Sequence, residues 1–319
     1  MAGQLTLLER EQVAQFWNRG LSRTEIGRRL GRHRTTIGRE LARNSIAGVY
    51  WASTAQEKAK ARRERRPRKL DDVELRVFVH LGLEKRWSPE QIAGRWRREF
   101  PQEALGGVSH MTIYRWIANN PYRYHFESLL RFGRRSKEPE NRGKVPARAD
   151  IAGRPAIVDQ RARFGDWEGD TIVGKGRRGG LVTLVERKSG FALVRKVDRL
   201  QAEQVNRVVR HQFASLPSGL RHTATFDNGS EFKKHQSITA STGVKIYFAR
   251  PYHAWERGSN ESFNGLVRQF FPKGTDFKGI SPREVKHVLN LLNDRPRKRL
   301  GYRTPREVLA KHFPRAFQM

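Results

Sequence analysis

The chain contains no cysteine, which excludes disulfides and cysteine-ligated zinc. It has no run of about 18 apolar residues, so nothing in it reads as a membrane-spanning helix. Met1–Arg10 lacks the apolar centre of a signal peptide. These absences predict a soluble protein made and used inside the cell. Acidic residues are also scarce: 32 Asp and Glu stand against 64 Lys and Arg in 319 residues, a formal charge of +32. A field of that size binds polyanions by releasing their counterions, so nucleic acid is the expected partner and a membrane is not. The excess is net +15 over residues 1–150 and net +17 over 151–319, so no basic tail accounts for it. With 37% hydrophobic residues recurring between the charges, a folded protein of two or three domains is expected.

Residues 1–50 read as three short helices. Thr6-Leu-Leu-Glu9 and Ser22-Arg-Thr-Glu25 have the pattern of capping boxes, and Gly20 and Gly31 punctuate the turns. The layout is that of a helix-turn-helix, whose last helix enters the major groove. Arg34, Thr35, Thr36, Arg39 and Arg43 on that third helix are the expected DNA contacts; the alternative is a small bundle with a solvated basic face. A basic helix and linker follow at 51–70. A second unit of the same kind is expected at 71–120, opened by Trp87-Ser-Pro-Glu-Gln91, with Ser109, His110, Thr112 and Arg115 on its recognition helix and Trp96 and Trp116 in its core. Residues 121–160 read as a linker containing a docked helix near 122–133.

Residues 161–319 alternate strand-like and helix-like runs. Strands are expected at 167–173, 181–187, 191–197, 222–226 and 244–249, with helices from about 201 to 215, at 231–241, near Ser259, and at Ser281 and Thr304. Three strands in a meander, then helix, strand, helix, strand and helix, is the order of a ribonuclease-H-like α/β fold of the integrase type. Three carboxylates stand out within it. Asp170 follows Asp-Trp-Glu-Gly on the first strand, Asp227 precedes the turn pair Asn228-Gly229, and Glu261 lies 33 intervening residues later in the first turn of a helix. Acids so spaced suit two Mg²⁺ ions roughly 3.5–4 Å apart, with Mn²⁺ able to substitute, in an in-line phosphoryl transfer. Asp166 and Glu168 share a strand face with Asp170, which is expected to lie deepest in the sheet. Glu256 rivals Glu261 but reads as part of a loop. Arg268, seven residues past Glu261, is expected on roughly the same helix face as a phosphate-binding cation.

At these residues the chain resembles bacterial insertion-sequence transposases with a DDE triad, most closely the IS-thirty family. The matching stretches include Trp167-Glu-Gly-Asp170-Thr-Ile-Val-Gly174, Asp227-Asn-Gly-Ser-Glu-Phe232, Ala249-Arg-Pro-Tyr252, Trp255-Glu-Arg-Gly-Ser-Asn-Glu261, Phe270-Phe-Pro-Lys-Gly-Thr-Asp-Phe277 and Leu300-Gly-Tyr-Arg-Thr-Pro305. The resemblance implies Asp170, Asp227 and Glu261 as catalytic triad and metal ligands. It also implies double-stranded DNA partners, namely terminal inverted repeats and target DNA, a homodimer or larger assembly on them, and a cytoplasmic, nucleoid-associated place in a bacterial cell. Ser262-Phe263 departs from the Asn-Thr more usual in that family. A DNA-binding regulator with an inactive nuclease-like domain, and a nuclease that cuts without joining, are the competing expectations.

Overall fold

The structure, a computed structural model, describes residues 4–64, 68–102, 107–131, 149–250 and 254–314. Residues 132–148 of the expected linker, part of the loop at 101–107 and Pro251-Tyr252 of the Ala249-Arg-Pro-Tyr252 stretch lie outside those residues. The chain divides into two compact units, Met1–Asp72 and Val73–Met319.

The first unit is helical: α1 Leu7–Asn18, α2 Arg23–Arg29, α3 Arg34–Asn44 and α4 Ala52–Glu64. The apolar residues left by the helical period, Val13, Ile26, Ile37, Leu41, Tyr50 and Ala55, form one core. Thr6 and Glu9 make the full reciprocal box that caps α1. At α2 only half of the expected box forms: the Ser22 hydroxyl accepts from the Glu25 amide, while the Glu25 carboxylate is held by Arg28 and Arg29. Two charged donors one turn ahead outcompete a single neutral amide for that carboxylate.

The second unit begins with α5 Val73–Glu84, α6 Pro89–Glu99, α7 His110–Ala118 and α8 Arg123–Leu129, a bundle holding Trp96 in its core and Trp116 half-buried against Phe126. The short α9, Ala156–Asp159, leads into the sheet: β1 Asp166–Val173, β2 Gly180–Glu186, β3 Ala192–Val197, β4 Thr223–Phe226 and β5 Lys245–Phe248. Helices α10 Ala202–Ala214 and α11 His235–Thr242 separate β3, β4 and β5. Then come α12 Gly258–Val267, α13 Pro282–Asn293 and α14 Pro305–His312. The strand order is β3-β2-β1-β4-β5, with β1–β2–β3 antiparallel and β4 and β5 parallel to β1. This is the expected ribonuclease-H-like arrangement.

Both faces of the sheet are covered, which is why β2 reads as the unbroken run Leu181-Val-Thr-Leu-Val185 instead of alternating with polar residues. Val182 and Leu184 face one core with Val205, Val209 and Phe213 of α10, while Leu181 and Val185 face another with Phe263, Leu266 and Val267 of α12. The bundle joins this unit through α6. Arg95 makes paired bonds to Glu307 at 2.7 and 2.6 Å, Lys298 bonds Glu90 at 2.6 Å, and Arg295 bonds Gln91 at 2.8 Å. Among the described residues, no helix is long and apolar enough to cross a membrane.

Candidate acidic site on the mixed sheet

Alternation along β1 sends Asp166, Glu168 and Asp170 to the face covered by α12. The expected depth order is reversed. Asp166 and Glu168 are each 1% exposed, whereas the Asp170 side chain is 20% exposed. Asp166 is held by Arg163 and by the Thr223 hydroxyl. Glu168 accepts from Arg187 Nη1 at 2.8 Å and from the Asn260 main-chain amide at 2.9 Å. Each of these two acids is fully buried and fully partnered, the condition on which a carboxylate survives in a core. Asp170, nearest the open end of the strand, is the accessible one.

The parallel pairing of Glu168 with Thr225 sets Asp170 level with Asp227, two residues further along each strand. Asp227 lies just past the end of β4, where its Oδ1 accepts from the Gly229 amide at 3.0 Å and its side chain is 21% exposed. Both aspartates converge on one cation. The Arg257 guanidinium, 5% exposed, lies 3.4 Å from Asp170 Oδ2 and 3.8 Å from Asp227 Oδ2. Asp170 also accepts from its neighbour Thr171's amide at 2.8 Å and from Asn264 Nδ2 at 3.0 Å.

Glu261 stands half-buried in the first turn of α12, between Asn260 and Asn264, which bond Glu168 and Asp170 respectively. Thr183 of β2 donates to the side-chain oxygen of either asparagine, so a small polar seam ties the helix to the sheet beside the acids. Among the described residues, no three acidic or histidine side chains converge closely enough to hold a metal ion. The donor chemistry nonetheless suits a hard cation: two carboxylates on adjacent parallel strands already share one positive charge. Glu256 instead caps a turn, accepting from the Arg250 amide and Nε.

Sequence reasoning missed two residues here. Arg257 was passed over as loop, although it sits in the quoted Trp-Glu-Arg-Gly stretch. Glu231 accepts from the Thr171 hydroxyl at 2.9 Å, on the residue next to Asp170, and shares the space around Gly229 with Asp227. Its signal was the Asp-Asn-Gly-Ser-Glu spacing. Arg268 donates to the carbonyls of Val173, Phe271 and Pro272, clamping the end of α12 to the end of β1, so it does not lie free along the face with Glu261. Of the expected DNA contacts on α3, Arg34, Thr35, Arg39 and Arg43 are exposed and Thr36 is half-buried. On α7, His110 and Arg115 are exposed, while the Ser109 and Thr112 hydroxyls bond one another in the helix cap.

Comparisons with known proteins bear on the fold and the family. A helix-turn-helix domain family matches residues 3–44, and an integrase core domain family matches 160–254, covering Asp170 and Asp227 and stopping short of Arg257 and Glu261. The class is therefore an integrase-core protein with a helix-turn-helix at its start. The chain is similar to the transposase for insertion sequence element IS4351 of Bacteroides fragilis, 38% identical over 96% of this chain and 95% of that one. It is 37% identical to the transposase for IS1086 of Cupriavidus metallidurans over 97% of this chain and 94% of that one. The transposase InsI for IS30C of Escherichia coli K12 is 36% identical over 96% and 83%. The chain belongs to the IS30 family of insertion-sequence transposases.

Proposed function

We propose that this protein binds the terminal inverted repeats of an insertion sequence, cuts there, and joins the freed ends to target DNA. The chemistry is assigned to Asp170, Asp227 and Glu261 with a divalent metal, Mg²⁺ or Mn²⁺. One observation carries the reading: two aspartates level on adjacent parallel strands, Asp170 within β1 and Asp227 just past β4, face a single buried guanidinium. Asp170 and Asp227 are the residues to hold a metal, with Glu261 joining from α12; such an ion supplies charge stabilisation at the attacked phosphate. The chain's own part is positioning. Asn264 orients Asp170, the Gly229 amide orients Asp227, and Glu168 anchors the α12 backbone one residue before Glu261. Holding reacting groups in place is where most of the rate in phosphoryl transfer arises. Two element ends must be held together, so two or more subunits acting on DNA complete the proposal.

The test mixes purified protein with supercoiled DNA bearing candidate terminal repeats and Mg²⁺, alongside Asp170→Asn. Joined products from the wild type and none from the variant are expected. Binding without nicking would make the protein a regulator, and nicks without joined products would make it a nuclease.

A further inference from the structure

A second feature of the sheet unit lies where α12 passes the β2–β3 turn. A cavity of about 190 Å³ opens between Gly258 and Ser259 of α12, Gly190 of the turn, and three arginines, Arg161, Arg297 and Arg299. None of these arginines belongs to the acidic site. Arg161 Nη2 donates to the Ser259 hydroxyl at 3.0 Å, Arg297 Nη2 to the Leu292 carbonyl at 3.0 Å, and Arg299 Nη1 to the Lys188 carbonyl at 2.7 Å. Among the described residues, none of the three forms an ion pair with a carboxylate. Arg299 repels both Arg297 and Arg161, and the more distant Glu186 and Glu168 offset only part of its charge. Burial and the neighbouring Arg299 push the Arg297 guanidinium down to about 10. Burial and Arg161 likewise lower that of Arg299.

The cavity sets this charge beside the apolar side chains of Val185, Phe263 and Leu266. Gly190 adopts φ +72°, and a Cβ there would stand 2.6 Å from Arg299 Nη2, so glycine permits both the turn and the close approach of the guanidinium. The volume falls below the roughly 300 Å³ at which small-molecule sites begin, too small for a nucleoside and suited to a single multivalent anion. Planar guanidinium forks match phosphate oxygens with paired hydrogen bonds. The N-terminal turn of α12 adds a favourable dipole on the same side.

We propose that this arginine cavity seats one phosphodiester of the DNA backbone, a phosphate distinct from the one being cut. The identity of the ligand rests on the DNA-joining function proposed above, whereas occupation of the cavity requires neither metal nor catalysis. Because α12 carries Glu261 between the two features, a phosphate held here fixes the DNA relative to that helix.

Two measurements on the full-length chain test it, both in EDTA so that cleavage plays no part. In the first, Arg161 and Arg299 are modified with phenylglyoxal and read by peptide mass spectrometry, with duplex DNA, orthophosphate or neither present. Protection of both arginines by duplex DNA is expected. Protection by orthophosphate alone, or by neither, overturns the proposal. In the second, the salt dependence of duplex binding is compared for wild type and R161Q/R299Q. Neutralising one phosphate contributes a slope of roughly 0.9 in log K against log salt, so the variant's slope should be shallower by about that amount for every sequence tested. An unchanged slope overturns the proposal. Misfolding of the double variant leaves the protection experiment decisive, since that uses wild type only. A wild type that shows protection but never nicks DNA removes the transposition reading and leaves this site standing. Nicking without protection does the reverse.

Discussion

Gly169 sits on β1 between Glu168 and Asp170, and replacing it by alanine should damage stability and site together. A Cβ there would approach Phe226 Cε1 to 2.1 Å and Cδ1 to 2.5 Å, where carbon atoms prefer about 3.5–4.0 Å. The ring must therefore retreat by more than an ångström. It has little room: Phe226 is fully buried, Phe232 stacks at a 4.3 Å centroid distance, and the Phe226 backbone is paired to Phe248 of β5. Overpacking of this kind typically costs 1–3 kcal/mol, and the rigid surroundings argue for about 3. Removing a strand glycine returns roughly 0.5–1 kcal/mol of backbone entropy, leaving a net loss of about 2–2.5 kcal/mol. For a unit of this size that lowers the melting midpoint by roughly 4–10 °C. Asp227 follows Phe226 directly, so the same displacement moves a carboxylate of the acidic site, and DNA joining should fall with stability. Phe226→Leu in the Gly169→Ala background should recover part of both, with a coupling energy above about 0.5 kcal/mol in the double-mutant cycle. A Gly169→Ala protein that melts within about 1 °C of wild type, or a cycle without coupling, would falsify the packing argument.

Four further outcomes are expected. Gly94→Ala, whose Cβ would meet the Tyr302 ring at 2.3 Å, should loosen α6 from the 295–307 segment and raise amide exchange across that segment; unchanged exchange would show that the ring simply turns aside. In the first unit, Arg32 beside Glu9 holds its carboxyl down at about 2 against an ordinary 4.5, so its contribution is present above pH 4.5 and fades as pH falls toward 2. Amide-exchange protection of α1 should drop in that window, and Glu9→Gln should lose the same protection at neutral pH. Arg257→Ala leaves two adjacent aspartates without their shared cation. It should cost about 2–3 kcal/mol, below the 3–5 of a fully buried pair because the aspartates are one-fifth exposed, and should enlarge the Mg²⁺-induced rise in melting temperature; an equal Mg²⁺ response in both proteins would separate Arg257 from the metal locus. Glu168→Gln keeps one acceptor oxygen where two are used, for Arg187 and for the Asn260 amide, so DNA joining should fall by ~10- to 100-fold with DNA affinity unchanged, the scale of an ångström's misplacement.

Much of this was legible in the sequence, for identifiable reasons. β2 shows itself as a nearly continuous apolar run because both its faces are covered, while on β1 the acids stand out at alternate positions. Four full capping boxes, at Thr6, Ser88, Ser281 and Thr304, formed as the local pattern predicts, since every participant lies within four residues. Apart from the half-formed box at Ser22, where Arg28 and Arg29 take the Glu25 carboxylate, the main failures involve partners distant in the chain. Alternation assigns Asp166, Glu168 and Asp170 to one face but says nothing of where along β1 the cover stops. That is decided by Asn260, 92 residues beyond Glu168, and by Arg187. Arg257 looked like loop because its role exists only once two strands and a helix meet. Likewise Glu90 and Gln91 read correctly as a helix opening, yet their partners, like that of Arg95 further along the helix, lie more than 200 residues away.

These distant contacts concentrate on one helix. Arg257, Asn260 and Asn264, spaced three and then four residues apart, fall on one face of the helical turn and touch in order the aspartate pair, Glu168 and Asp170. The helix thus reads three acids of the site through a single rigid surface, and Glu261 rides on it one position from the face. A shift of α12 cannot move Glu261 toward the aspartates without also changing the contacts of Arg257 and Asn264. The guanidinium that now compensates Asp170 and Asp227 and the carboxylate assigned as third ligand are therefore geometrically coupled. Two carboxylates brought close together disfavour one another's charge, and α12 supplies the compensating cation in the same element that carries Glu261.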